Sequence, residues 1–380
     1  MTHSSPVPSL RVEAIDCPSS LSELTPDWAA AANRDPYIRL FQTPLWVVNY
    51  WKFRTQSSGP LKLLLGKDAA GAVQAVAPMI REQEGQSVLP PNWVVAHGTG
   101  EYEAEWTCPP ALAAEFARGV CEHFADDPER WYSLEFRGVR RGSSMAHALE
   151  TECSRQKLSI QIRDGMEIPY RNTATTSESV DDTLDGKFRR DLRRRTRRLQ
   201  EVGALSFETH SALEGLEDAL NRFFAVEASG WKGEAGTAIA SDPTVQRFWR
   251  SLARDAAAEG TLRLTLVNVD GQPIAGQLGI ICGRTYYCLK TGYDEEFSRY
   301  SPGALTTRHC IQECIEDPAV DVYDFAGAKQ PYMIPWVHRS TTTCTIRIGS
   351  PHPGLRLIFD GTRATREWAR PLWRAARDLR

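Results

Sequence analysis

Two carboxylates stand where an apolar setting suits them to take a proton. Glu227 falls at the end of a largely apolar helical stretch, and Asp324 lies between Tyr323 and Phe325. Partial burial raises the pKa of such a group and fits it for general-base work. The plainer alternatives are a solvated Glu227 and an Asp324 that caps a turn. Tyr293 and Tyr332 could return a proton to a leaving group, or serve packing and stacking instead. Ser301-Pro302-Gly303 reads as a helix start, with Ser301 as N-cap, Pro302 in the first turn and Gly303 allowing close approach; Arg299 lies near enough to add charge. A helix N-terminus of this make receives an anion, although the same triplet also starts helices that bind nothing. The run Lys187–Arg198 carries eight basic residues against one acid, Asp191. Phe188, Leu192 and Leu199 form a sparse apolar stripe, so one face docks while the arginine face, Arg190 and Arg194 included, stays wet. Such density points to phosphate recognition, as in a sugar nucleotide, a lipid-linked precursor or tRNA, with a solvated charged helix as the alternative.

The elements that must position these residues are clearest in the second half. Strand alternation runs over 204–210, helical spacing from Leu213 toward Gly230, and a second helix opens at Asp242-Pro243 and stops at Gly260. Strands at 262–269, 274–282 and 285–291 follow closely, the first two joined by Asp270-Gly271, which predicts an antiparallel meander. A helix from Ser301 to about Glu316, a strand at 320–325, an aromatic irregular segment and a strand at 341–348 complete the order β-α-α-β-β-β-α-β-(α)-β. The first half reads the same way. It has strands at 10–17, 61–66, 73–80, 88–96, 131–136, 158–162 and 166–169, and helices at 21–32, 40–53, 111–124 and 144–156. One topology met twice is an internal repeat. The expected organisation is a disordered N-terminus over 1–9, a first domain over 10–171, a linker over 172–186, a second domain over 187–350 and an amphipathic basic helix over 351–380.

Composition bounds the class. With 380 residues, the chain is long enough for two cores of roughly 150–200 residues each. The net charge of −3 gives no global excess to recruit DNA. Nine scattered cysteines without a CxxC pair fit a reducing cytoplasm better than a disulfide scaffold. No apolar run approaches the length of about 20 residues that a membrane span needs, and the N-terminus lacks the basic and apolar regions of a signal peptide. The stretch 362–380 has six arginines with Trp368, Leu372, Trp373 and Leu379; it could lie on an anionic membrane surface or pack on the second domain. HExxH, Walker A, GxGxxG and GxSxG are all missing, and no metal site is named. In the first half, His97–Tyr102 is polar and loop-like enough to line a site.

Several strings then fall in a known order. Lys187-Phe188-Arg189-Arg190-Asp191-Leu192-Arg193-Arg194 resembles the leading helix of the CelD-like acetyltransferases, relatives of the FemAB peptidyltransferases with two GNAT-like halves. Asp270-Gly271-Gln272-Pro273-Ile274-Ala275-Gly276 is similar to their second strand pair. Gly292-Tyr293-Asp294 through Tyr300-Ser301-Pro302-Gly303 is similar to the approach to their central helix, and Tyr323-Asp324-Phe325, Pro331-Tyr332 and Trp336 to their closing aromatic segment. The resemblance implies an α+β fold with a mixed sheet, two tandem GNAT-like acyl-CoA N-acyltransferase domains, the first degenerate. It implies acetyl-CoA or another acyl-CoA as co-substrate and an amine acceptor, either a small molecule or an amino sugar nucleotide or polysaccharide precursor. Arg299, Ser301, Gly303 and Ala304 would then hold the CoA diphosphate. Glu227, Asp324, Tyr332 and Tyr293 would act on protons, and Trp231, Lys329, Arg190 and Arg194 would meet the acceptor. The chain departs from the pattern at Lys329 and Met333, where the family carries an acidic residue and a Tyr-Lys pair. It departs again at Glu227-Ala228-Ser229-Gly230-Trp231, where a His is common, and at Leu305, where the acyl-CoA loop has a small residue. Two other readings stand beside the leading one: a FemAB-like transferase drawing on aminoacyl-tRNA, motivated by the basic run, and a non-catalytic scaffold on a decayed fold, motivated by the departures.

Overall fold

Alternating and helical apolar patterns become two runs of elements in chain order. The structure, a computed structural model, describes residues 10–361 except 18–20, 36–37, 55–59, 83–88, 96–104, 128–129, 175–178, 231–235 and 237. The first run is β1 (Arg11–Cys17), α1 (Leu21–Ala32), α2 (Pro44–Arg54), β2 (Leu61–Lys67), β3 (Val73–Glu82), β4 (Asn92–Val95), α3 (Ala113–Ala125), β5 (Ser133–Arg140), α4 (Ser144–Gln156) and β6 (Ile160–Asn172). The second is α5 (Gly186–Gln200), β7 (Leu205–His210), α6 (Leu216–Ala228), α7 (Pro243–Ala258), β8 (Leu262–Val269), β9 (Gln272–Cys282), β10 (Thr285–Tyr293), α8 (Pro302–Glu316), β11 (Val322–Asp324) and β12 (Arg339–Gly349).

Local chemistry accounts for the boundaries. The Asp242 carboxylate accepts the N–H groups of Thr244 and Val245 at 2.7 and 3.3 Å, and Pro243 follows it, which starts α7. Asp185 caps α5 in the same way through Lys187 and Phe188. Asp270 and Gly271, at φ 49° and 78°, make the two-residue turn that lets β9 fold back on β8.

The strands form one sheet of order β1-β2-β3-β4-β5-β12-β6-β11-β10-β9-β8-β7. In each run the first four strands pair antiparallel and the fifth joins parallel, β5 beside β4 and β11 beside β10. The last strand of each run then crosses over. β6 lies against β11 of the second run, β12 against β5 of the first, and the two pair with each other. The halves are laced together through the middle of the sheet. One side of the sheet carries α1, α2, α6 and α7 over a core common to both halves, where Trp46 meets Phe248 and Trp249 edge-on at 5.5 and 6.3 Å. The opposite side holds separate cores, under α3 and α4 in the first half and under α5 and α8 in the second.

Three expectations change. The two short strands at 158–162 and 166–169 are one strand, β6; Gly165 lies within it because a Cβ there would run into the side chain of Thr343, beside the irregularity in β12. The strand at 88–96 narrows to β4. The optional helix before the last strand is only a 3₁₀ turn, Pro331–Met333, since Pro335 lacks an N–H and restrains the residue before it. Residues 1–9, His97–Tyr102 and 362–380 lie outside the described residues; a helix over 353–361 leads toward the last of these, with Phe359 packed on Tyr132. No helix among the described residues is long and apolar enough to cross a membrane.

Candidate active site

An opening in the sheet organises the second half. β10 and β11 pair at only three positions, Thr285/Val322, Tyr286/Tyr323 and Tyr287/Asp324. Beyond that point β11 ends, while β10 continues to Tyr293 along β9, with an irregularity between Cys288 and Lys290. The seam just before the opening is locked by a buried polar chain. Gln277 Nε2 donates to Tyr286 Oη at 2.8 Å, Tyr323 Oη donates to Gln277 Oε1 at 3.0 Å, and the two rings stack at 5.0 Å. Fully satisfied, such a chain fixes where the strands part.

α8 begins beside the mouth of this opening. Ser301 occupies the N-cap position in the left-handed region (φ 56°), and its side chain makes no cap hydrogen bond. It accepts instead from Arg195 Nη1 of α5 at 2.7 Å, and the same guanidinium nitrogen donates to the Arg299 carbonyl at 3.3 Å. The first turn of α8 is therefore left without a side-chain cap, which suits it to an anionic ligand. Tyr293, at the end of β10, stands next to Gly303, whose added Cβ would lie 3.5 Å from the ring. Burial and the neighbouring Glu295 raise the Tyr293 pKa. Arg299 lies over the Tyr300 ring at 4.7 Å, and Ala304 follows Gly303 in the first turn.

Glu227 presses on β10 from the other side of the sheet. It is buried at 2% exposure, not solvated, and its Oε2 accepts the Ile239 N–H at 2.8 Å. α6 runs so close that a Cβ on Gly292 would come within 2.6 Å of the Glu227 Cα, and one on Gly230 within 3.0 Å of the Tyr293 carbonyl oxygen. Two glycines thus let the carboxylate helix reach the mouth of the opening.

Asp324 sits at the apex. It is 3% exposed, accepts the Ala326 N–H at 2.7 Å, and its other oxygen lies 3.8 Å from Arg39 Nη1 of the first half. It both turns the chain away from β10 and anchors a guanidinium. Tyr332 follows on the short turn. Its residue surface is 59% exposed, yet its phenol stands near Cys288, and burial there pushes its pKa up to about 12.

Glu227, Tyr293, Ser301 and Gly303 therefore gather around one opening, with Asp324 at its root and Tyr332 on the short turn farther along the chain. Lys329 does not join them; its Nζ pairs with Glu167 of β6 at 2.9 Å. Arg190 and Arg194 lie on the outer face of α5, where with Lys187 and Phe188 they line a surface cavity of about 440 Å³. Trp231 lies outside the described residues. Arg195, Arg39 and Gln277 escaped the reading of the sequence. For Arg195 a signal existed: positions 188, 192 and 199 define the buried stripe of α5, and 195 falls on the same stripe.

Residues 186–333 match the family model described as an acetyltransferase (GNAT) domain. Among solved structures, FemX is similar with a TM-score of 0.64 at 10% identity, covering 91% of this chain and 99% of that one. The C-terminal domain of a putative lysylphosphatidylglycerol synthetase from Agrobacterium fabrum gives 0.52 at 11% identity, over 90% of this chain and 97% of its own. A conserved protein of unknown function from Bacteroides thetaiotaomicron gives 0.54 at 10% identity, over 90% and 100%. No curated protein matches the sequence significantly. At these identities the structural likenesses speak to fold: two GNAT-like units in one chain.

Proposed function

We propose that this chain, a GNAT-type acyltransferase acting on amines and built on a FemX-like pair of units, takes an acetyl or related acyl group from acyl-CoA. The acceptor is the amine of a small molecule or an amino sugar precursor. The observation that carries this reading is the parting of β10 from β11 beside the uncapped start of α8. An extended arm bearing amides can lie along β10 where β11 no longer runs, in the manner of an added strand. The diphosphate would then rest on the first turn of α8, near Gly303, with Arg195 and Arg299 at hand. The acceptor nitrogen attacks the thioester carbonyl carbon; the C–N bond forms and the C–S bond breaks. Glu227 is the carboxylate that takes the proton the nitrogen loses, because Gly230 and Gly292 let α6 bring it to the mouth of the opening, whereas Asp324 at its root is held by Arg39. Tyr332, held protonated by its raised pKa, supplies a proton to the departing thiolate and regains it through solvent as Glu227 releases its own. Scattered cysteines without a CxxC pair favour a reducing compartment such as the cytoplasm.

Calorimetric titration of acetyl-CoA tests the reading. Wild type should bind, and Gly303→Asp, whose Cβ meets only ordinary contact, should fold and lose binding. No binding by the wild type, or equal binding by the variant, rejects it. The aminoacyl-tRNA reading is kept alive by the wet basic face of α5. It predicts a low-salt shift of charged tRNA and an activity that RNase destroys.

A further inference from the structure

The sheet ends in two edge strands, and they are guarded unequally. β1 closes one side and carries Arg11, Glu13 and Asp16 along its length, charges that discourage a further strand. β7 closes the other side with the sequence Leu-Ser-Phe-Glu-Thr-His, which holds no lysine and no proline. Its one carboxylate, Glu208, is already committed: Arg222 donates to it at 2.6 Å, and so does Asn268 at 2.6 Å. Large apolar side chains stand on and beside this edge, Val202 at 48%, Phe207 at 36% and Leu213 at 56% exposure. The Phe207 ring is held in place by a stack on His309 of α8 at 4.4 Å, so a partner meets it already oriented. The ladder decides which backbone groups are open. The Ala204 carbonyl accepts the Asp270 N–H at 3.0 Å, so residues 204, 206, 208 and 210 turn their backbone toward β8. Leu205, Phe207 and Thr209 turn theirs outward, and among the described residues no strand meets them.

We propose that β7 pairs with β7 of a second copy of this chain, antiparallel and about a two-fold axis at Phe207. An edge that matches its own reverse selects a copy of itself. The axis falls on an outward-facing residue, so the two Phe207 residues exchange backbone hydrogen bonds with each other. Leu205 of one copy then exchanges with Thr209 of the other, and every outward N–H and C=O of the three residues finds a partner. The side chains agree with this register. Phe207 meets Phe207 on the face that carries His309, Glu208 faces Ser206, and His210 faces Ala204, so no like charges are opposed. An edge of six residues makes a reversible dimer, not an obligate one. β8 and β9 stand between this edge and the opening beside β10, so the pairing and the acyl-transfer reading stand or fall separately.

Sedimentation velocity over a concentration series tests the pairing. Wild type should pass from monomer toward dimer as its concentration rises. Phe207→Lys, which sets a charge against its own image, should weaken the association about tenfold or more. Ala14→Lys, at an exposed position of β1 on the opposite edge, should leave it unchanged. A disulfide trap reads the register independently of that charge. Across the axis the Cα atoms of position 207 lie about 5.5 Å apart, within disulfide range, whereas those of position 209 lie about 14 Å apart. Under oxidised glutathione, Phe207→Cys should link two chains above the wild-type background, and Thr209→Cys should not. The pairing is overturned if wild type sediments as a monomer throughout the series, or if Phe207→Lys leaves the dimer unchanged. It is equally overturned if Ala14→Lys weakens the dimer as much as Phe207→Lys, or if Thr209→Cys links as readily as Phe207→Cys.

Discussion

β4 and β10 hold the same place in the repeated unit, and each meets a parallel fifth strand, yet the two meetings end in opposite ways. In the second half β11 stops after three paired residues and leaves β10 to run on. In the first half the chain returns to fill the corresponding space. Thr107 exchanges backbone hydrogen bonds with Val76 of β3 at 2.7 and 3.0 Å. Trp106, 2% exposed, packs between Phe116 and Phe136 with centroids 5.0 and 5.8 Å away. Glu105 accepts the Arg140 N–H at 3.0 Å. After the fifth strand the contrast continues: the first half builds α4, thirteen residues long, where the second keeps a short turn that leaves Tyr332 reachable. The topology is repeated and the cleft is not. Chemistry on this fold depends on where packing is withheld, a property of a few side chains and not of the fold.

The sharpest way to break the comparison is to neutralise one buried carboxylate in each half. Glu227→Gln should lower kcat by about 10²–10⁴-fold, the range for a lost general base. Glu105→Gln should leave kcat unchanged and cost about 1–3 kcal/mol of stability through its weakened hydrogen bond to β5. Steady-state kinetics and chemical denaturation on the same pair of variants read both effects. Equal kinetic losses would mean that both halves do chemistry.

Removing the plug comes next. Trp106→Ala should cost about 3–5 kcal/mol, as expected for a large aromatic lost from a packed core. It should leave acetyl-CoA affinity and a one-to-one stoichiometry intact. A second binding event in that variant would show that the first half retains a usable cleft behind its tryptophan.

A smaller effect separates how the two halves hold their outer helices. α3 and α4 pack through apolar side chains with an exposed ion pair, Arg155 to Glu122 at 3.3 Å. α5 and α8 are instead clamped by the buried Asp181, which accepts from Arg308 at 2.6 Å and from Arg193 at 3.2 Å. Burial alone would raise the Asp181 pKa, but the bonds and charge of Arg308 and then Arg193 outweigh it and hold the carboxyl below its usual 3.8. A depressed folded value means stability that is complete above 3.8 and lost as pH falls through the folded pKa. Asp181→Asn should therefore be less stable than wild type by about 1 kcal/mol near neutral pH, the arginine heads being half exposed. The gap in melting temperature should close as the pH falls below 3.8. A gap that persists at pH 3 would assign the loss to packing.

Much of this architecture was legible because it is written in local patterns. The Asp270-Gly271 turn, the Asp242-Pro243 helix start and the Ser301-Pro302-Gly303 boundary each carry their own backbone chemistry, and all three fall where the sequence places them. The crossing of β6 and β12 was not legible, since a strand's alternation says which face it buries and nothing about which neighbour it chooses. The site divides in the same way. Gly303 and Tyr293 stand on elements with clear periods, whereas the Arg39–Asp324 contact joins residues far apart in sequence and no spacing could announce it.

Arg195 marks the boundary between those two cases and gives the finest prediction. Seven other basic residues share its run, and composition cannot rank them. Helical period can: 195 shares a stripe with buried Leu192 and Leu199, so its guanidinium leaves the core toward a neighbouring element, whereas Arg194 points to solvent, both of them pairing with Asp191 on the way. The neighbour is the Arg299–Ser301 segment at the start of α8. Losing this contact should loosen the turn proposed to receive the acyl donor without touching the groups proposed to handle protons. Arg195→Ala should raise the KM for acetyl-CoA about three- to tenfold with kcat unchanged, the scale of one charge-assisted hydrogen bond partly open to solvent. Arg194→Ala should change neither constant. If the two variants behave alike, the basic helix acts as an undifferentiated charged surface, and the stripe argument for Arg195 fails.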